Sequence, residues 1–114
     1  MARPLQDCML QGTEELREGE CYFDMSFYDT RNDIPSIQTW IYIGKNLLKA
    51  DATRGDRWYF QDPESYLRHG SFVGFTKKIK RAVLAAEELM VLSMFSLKGL
   101  AEALALLHPK SRKI

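Results

Sequence analysis

The sequence contains few of the residues that catalytic and metal sites use. It has two histidines and two cysteines, and neither type shows metal-ligand spacing such as Cys-x-x-Cys or His-x-x-x-His. Its seven glycines form neither a phosphate-binding loop nor a dinucleotide fingerprint. We expect no metal, no cofactor and no catalytic residue. His69 and His108 are interpreted as helix-ending residues, because a protonated imidazole interacts favourably with the last carbonyls of a helix.

Long uncharged apolar runs are also absent. A membrane-spanning helix needs about 20 consecutive apolar residues, whereas Glu87, Glu88, Lys98 and Glu102 interrupt the most apolar part of the chain. We therefore expect no transmembrane segment.

Nothing near the N-terminus resembles the apolar run of a signal peptide. Cys8 and Cys21 are thirteen residues apart, and a single pair of cysteines is too little to indicate a disulfide-stabilised secreted protein. The expected localisation is cytoplasmic, with both thiols reduced.

The composition is that of one foldable domain, but its charge is unevenly distributed. The 114 residues are 46% hydrophobic and 27% charged, with a net charge of +1. Residues 1–36 carry three basic and eight acidic side chains, whereas residues 76–114 carry eight basic and three acidic ones. Either these two parts attract one another, or the basic part binds an acidic partner.

The first part of the chain is predicted to form a sheet. Residues 1–19 are polar and form either one short helix or a loosely structured segment. Residues 20–62 contain three stretches of alternating or β-branched and aromatic residues, at about 21–28, 37–43 and 57–61. Short connections favour an antiparallel three-stranded meander.

The remainder, residues 63–108, is predicted to be helical, with a tail at 109–114. Asp62 suits an N-cap, a proline follows it, and Gly70 suits the position after a helix, so a short helix is expected at 63–69. Apolar residues then recur every three or four positions over 76–107, with a break expected near Ser93–Gly99. The predicted fold class is α+β, with a broken apolar helical layer on one face of the sheet.

This helical region is apolar on more than one side. Opposite its core stripe lie five apolar residues that we predict to mediate self-association: Leu84, Val91, Leu92, Phe95 and Leu106. Three interpretations compete, namely two helices packed on each other, a homodimer or partner complex, and a helix lying on a membrane surface. A basic patch begins the region and comprises Lys77, Lys78, Lys80 and Arg81.

The sheet also has two dissimilar faces. If Phe23, Met25 and Phe27 point to the core, the other face carries aromatic and charged residues. We predict that this face binds a partner through Tyr22, Asp24, Tyr28, Trp40, Tyr42, Arg57 and Tyr59. In the alternative interpretation, the N-terminal segment or the short helix covers these rings as a second core.

These features favour a non-enzymatic protein-interaction module, such as a small regulator, adaptor, immunity protein or inhibitor. Its partner would be another protein, a second copy of the chain, or both. One alternative is a small hydrolase or nuclease that uses Asp62, Glu64 and His69. Another is a single-stranded nucleic-acid-binding module, which is disfavoured because acidic residues surround the aromatic face and would repel phosphates.

Overall fold

The computed structural model describes residues 5–27, 35–72 and 82–107. It confirms an α+β protein with an antiparallel sheet and helices. In chain order the elements are two 3₁₀ helices (Leu5–Cys8 and Thr13–Glu15), β1 (Cys21–Phe27), β2 (Pro35–Lys45), α1 (Asp51–Arg54), β3 (Trp58–Gln61), α2 (Pro63–His69), β4 (Val83–Ala86), α3 (Glu88–Val91) and α4 (Leu97–Leu107).

The sheet has four strands in the order β1-β2-β3-β4, and each strand is antiparallel to the next. Tyr22 lies opposite Trp40, Tyr42 lies opposite Phe60, and Phe60 lies opposite Leu84. Because side chains at paired positions share a face, and Trp40 and Tyr42 are two residues apart in β2, all five residues lie on one face of the sheet.

The prediction of helix throughout 76–107 is wrong at β4. Val83 pairs with Gln61, and Ala86 pairs with Trp58. The second edge of β3 needs hydrogen-bond partners for its buried backbone groups, and this requirement outweighs the weak helix propensity of a short apolar stretch. Residues 76–81 lie outside the described part of the chain.

The break predicted near Ser93–Gly99 is confirmed, since α3 ends at Val91 and α4 begins at Leu97. Phe95, in this break, forms a bridge to the outer edge of β1. The Phe23 N–H donates to the Phe95 carbonyl over 2.8 Å, and the Phe95 N–H donates to the Phe23 carbonyl over 2.9 Å. The C-terminal part of the chain is thereby attached to the first strand.

Apolar side chains cover both faces of the sheet, so the expected packing on one face is incorrect. The first cluster comprises Leu10, Leu16, Tyr22, Tyr42, Trp58, Phe60, Ala86, Val91 and Met94. The second comprises Cys8, Phe95, Leu100 and Ala103, with Phe23 and Met25 packed against it. Since Tyr22 and Phe23 are adjacent in a strand, they point to opposite faces, and the two clusters therefore lie on opposite sides of β1.

The second cluster joins the two ends of the described chain. Helix α4 approaches the first 3₁₀ helix so closely that a methyl group on Gly99 would overlap the carbonyl oxygen of Cys8. A glycine is therefore required at this helical position for steric reasons. This contact holds the N-terminal segment beside β1.

Candidate functional site

Three of the tyrosines predicted to lie on an open sheet face are buried. The exposed fractions are 2% for Tyr22, 7% for Tyr42 and 1% for Tyr59, so the expected open aromatic face is wrong for these residues. Tyr22 and Tyr42 are buried because residues of the same cluster, such as Leu10 and Val91, cover them. The alternative interpretation, in which the N-terminal segment covers the rings, therefore describes the structure better.

The other residues of that predicted surface are dispersed. Trp40 is half-buried and packs against the first cluster. Asp24 and Arg57 are also half-buried, and the Arg57 guanidinium lies 3.2 Å from the Glu87 carboxylate. Tyr28 lies outside the described residues. Those members of the predicted surface that the structure describes do not form one exposed aromatic surface.

Tyr59 belongs to the opposite face and to a buried polar cluster. Its hydroxyl donates to Asp51 over 2.7 Å, and the Arg54 guanidinium and the Leu48 N–H donate to the same carboxylate over 2.7 and 3.1 Å. Burial raises the pKa of Asp51, but these three hydrogen bonds outweigh it and the pKa lies below its usual value. Burial and the Asp51 carboxylate together raise the pKa of Tyr59 to about 12. The cluster fixes the connection between β2 and β3.

The predicted self-association residues do not share a helix face either. Leu84 lies in β4 and Val91 in α3, while Phe95 forms the bridge to β1. Val91 and Phe95 are 0% and 2% exposed. Leu84 and Leu92 pack against the first cluster, and Leu106 packs against the second. The protein's own core thus takes up the excess of apolar side chains on which the homodimer prediction depended.

The three candidate hydrolase residues each have a local contact in or beside α2. The Asp62 carboxylate caps the helix, accepting a backbone N–H three residues later over 3.0 Å. Glu64 is paired with Arg68 at 2.8 Å, and the ring of His69 stacks on Phe72 with centroids 5.9 Å apart. Within residues 5–27, 35–72 and 82–107, no group of three or more histidine, cysteine, aspartate or glutamate side chains could hold a metal ion.

Two further predictions concern parts of the chain that are not described. The basic patch at Lys77, Lys78, Lys80 and Arg81 lies outside the described residues, and so does His108. Among the helices that are described, none combines the length and the apolar character needed to cross a bilayer.

Sequence reasoning missed a groove beside the beginning of β1. It has a volume of about 490 Å³ and lies between the N-terminal segment, β1 and the start of α4. Its lining consists of Leu10, Glu15, Glu20, Cys21, Tyr22, Phe23, Ser96 and Leu97. Leu97 is 68% exposed, so the groove presents an apolar side chain that the fold leaves in contact with water.

One side of the groove is acidic. Residues 5–27 contain six acidic side chains and one basic side chain, and two of the carboxylates, Glu15 and Glu20, line the groove. Glu15 accepts hydrogen bonds from the backbone N–H groups of Gln11 and Gly12, which fixes it in place. The acidic start of the sequence could have indicated this charge, but no local signal places Leu97 next to it.

The strand edge inside the groove is partly uncovered. Both backbone groups of Phe23 point outward, since they bond to Phe95. Every second residue of an antiparallel strand points the same way, so the backbone groups of Cys21 also point outward, into the groove. The thiol of Cys21 is free and exposed, whereas the free thiol of Cys8 is buried.

Other exposed apolar side chains lie elsewhere on the surface. Leu67 on α2 is 86% exposed, and Leu89 and Met90 on α3 are 83% and 45% exposed. Isolated apolar residues of this kind are common on protein surfaces. Leu67 matches Leu97 in residue type and exposure, and it is not among the residues that line the groove.

No protein-family model, curated protein or solved structure matches this chain.

Proposed function

We propose that this protein is a non-enzymatic protein-interaction module that binds a partner protein at the groove beside β1. The observation that carries the proposal is the exposure of Leu97, 68%, at the wall of an apolar groove of about 490 Å³. Leaving a leucine in water forgoes roughly 2 kcal/mol of burial free energy. A partner that covers Leu97 recovers this energy.

The position of the groove favours a macromolecular partner. Its walls come from three separate parts of the chain, and Leu97 is an exposed apolar side chain in one of them. A stable protein interface covers about 800 Å² on each partner, with apolar anchors at its centre. The groove supplies such an anchor site, and the acidic N-terminal segment supplies part of a polar rim.

Small regulators, adaptors, immunity proteins and inhibitors act by covering a surface of another protein, and a single small domain is sufficient for that role. The fixed contacts of Asp62, Glu64 and His69 give no support to the hydrolase alternative. Burial of Tyr22 and Tyr42 removes the stacking surface that the nucleic-acid alternative required.

The test is photo-crosslinking with a matched control position. A photoreactive phenylalanine analogue replaces Leu97 in one variant and Leu67 in another, and both variants are irradiated in cells that express the full chain. We expect a discrete crosslinked protein at position 97 and none at position 67.

The captured protein is then purified and titrated against the chain. L97D should weaken binding by about tenfold or more, since an apolar hot-spot contact is lost, whereas L67D should not. Equal effects of the two substitutions would contradict the proposal.

A further inference from the structure

We infer that the occupant of the groove is an extended, basic segment of the partner protein, which adds a strand to the outer edge of β1 and places an apolar side chain beside Leu97. This inference rests on the proposed function and adds the conformation and the chemistry of the bound segment.

The outer edge of β1 is open next to the Phe95 bridge. The bridge to Phe95 occupies the outward backbone groups of Phe23, but it does not extend to Cys21, whose outward groups lie in the groove. Unpaired edge groups are a template for another strand, and peptides commonly bind by this kind of strand addition. An extended segment can continue the pairing that Phe95 begins.

The size of the groove fits a side chain of an extended segment. Successive side chains of a strand point to opposite faces of the sheet, so every second side chain of a segment paired with Cys21 lies on the same face. A volume of about 490 Å³, lined by Leu10, Phe23 and Leu97 among others, accommodates an aliphatic or aromatic side chain. Backbone pairing then gives affinity, and the apolar anchor gives specificity.

The charge of the groove favours a basic segment. Glu15 and Glu20 line the groove, and the stretch 5–27 has an excess of five negative charges, from six acidic residues and one arginine. A lysine or arginine next to the apolar anchor would meet these carboxylates, whereas an acidic segment would be repelled. Complementary charge raises association rates and excludes partners of the wrong sign.

The experiment selects peptides on the protein itself. A display library of random twelve-residue peptides is selected against the full chain and counter-selected against L97D, after circular dichroism has shown that L97D is folded. The inference predicts enriched sequences that combine one large apolar residue with neighbouring lysine or arginine. A synthetic peptide from this pool should lose about tenfold or more in affinity on L97D, and less than about twofold on L67D.

Backbone pairing and charge are tested separately on that peptide. Methylation of each backbone nitrogen in turn should abolish binding only at the position whose N–H faces Cys21, because Phe95 already occupies the outward groups of Phe23 and the neighbouring peptide N–H groups point away from β1. E20K should weaken binding by about threefold to tenfold at low salt, and E88K, an exposed control on α3, should not. Enrichment of acidic or uncharged peptides, or tolerance of methylation at every position, would overturn the inference.

Other occupants give different results. If the full chain selects no peptide but a chain ending at Leu107 does, the protein's own basic tail fills the groove and the inference is wrong. If light scattering shows a dimer that L97D dissociates, a second copy fills it. A crosslinked partner at position 97 that binds through an uncharged or helical segment would overturn the inference and leave the proposed function standing. Absence of both crosslinks and peptides would overturn both.

Discussion

Replacing Gly99 by alanine tests the contact that joins the two ends of the fold. In an ordinary helix, this change stabilises by about 1 kcal/mol, because glycine has the lower helix propensity. Here the new methyl group would overlap the carbonyl oxygen of Cys8 and lie 3.3 Å from its carbonyl carbon. These are backbone atoms and cannot rotate away as a side chain would. Overpacking of this kind costs roughly 1–3 kcal/mol, and a clash with backbone belongs at the upper end of that range. After the gain of about 1 kcal/mol from helix propensity is subtracted, we expect G99A to lower the free energy of unfolding by about 2 kcal/mol.

The assay is urea unfolding followed by circular dichroism. With a slope of about 1–2 kcal/mol per molar urea, the midpoint of G99A should fall by about 1–2 M. A101G is the control, since Ala101 is exposed in the same helix and should lose only about 1 kcal/mol from propensity. Displacement of the N-terminal segment should also make the thiol of Cys8 react faster with a colorimetric thiol reagent, with exposed Cys21 as the internal reference. A G99A midpoint at or above that of the unsubstituted protein would refute the steric reasoning.

Three further predictions concern buried groups. D51N should lower the free energy of unfolding by about 2 kcal/mol at pH 7, because an amide cannot accept all three hydrogen bonds of the carboxylate. Since the pKa of Asp51 is lowered in the folded protein, the stability that the unsubstituted protein has over D51N should be lost below about pH 4. If urea unfolding gave the same stability difference between the two proteins at every pH, the prediction would be contradicted. The pKa of Tyr59 is about 12 in the folded protein and about 10 in the unfolded chain, so the free energy of unfolding should fall as pH rises from about 10 to 12. Y59F has no phenol group at this position and should not show this part of the fall. If Y59F lost stability as steeply as the unsubstituted protein over this pH range, the prediction would be refuted. F95D should unfold the protein, as judged by circular dichroism, because Phe95 is 2% exposed; a folded variant with altered assembly would instead support the self-association prediction.

The short helix α2 could be predicted to the residue because its signals are local. Asp62 accepts the N–H of Ser65, and the N–H of Gly70 bonds to the Tyr66 carbonyl at φ +77°. Both ends are therefore fixed by residues next to the helix. The existence of β1, β2 and β3 was predicted for a similar reason, since β-branched and aromatic runs bounded by turn residues favour strands wherever they occur.

The orientation of the strands could not be read from the sequence. Alternation separates the two faces of a strand but does not say which face is buried when both are apolar, as in β1 with Tyr22 and Phe23. In β2, moreover, the register shifts between Tyr42 and Gly44. Because Phe60 pairs with Tyr42, its neighbour Tyr59 points to the opposite face from Tyr42, and the bulge places Tyr59 opposite Gly44 instead of Ile43.

Strand β4 and the groove depend on distant parts of the chain. Val83–Ala86 is a strand because β3 offers it an edge, and a local apolar pattern cannot show this. The groove brings Leu97 next to Glu20 and Cys21, although these residues are far apart in sequence. Its acidic side was visible in the charge distribution, but its apolar wall became visible only in the fold.

The attachment of α4 to the first 3₁₀ helix has a consequence for synthesis. Ribosomes add about 5–20 residues per second, so Glu20 and Cys21 leave the ribosome several seconds before Leu97. Until then the β1 edge has neither the Phe95 bridge nor the wall that Leu97 provides. A nascent or C-terminally truncated chain therefore lacks the complete groove, and the proposed binding of a partner there would require a chain in which α4 has been made and has folded.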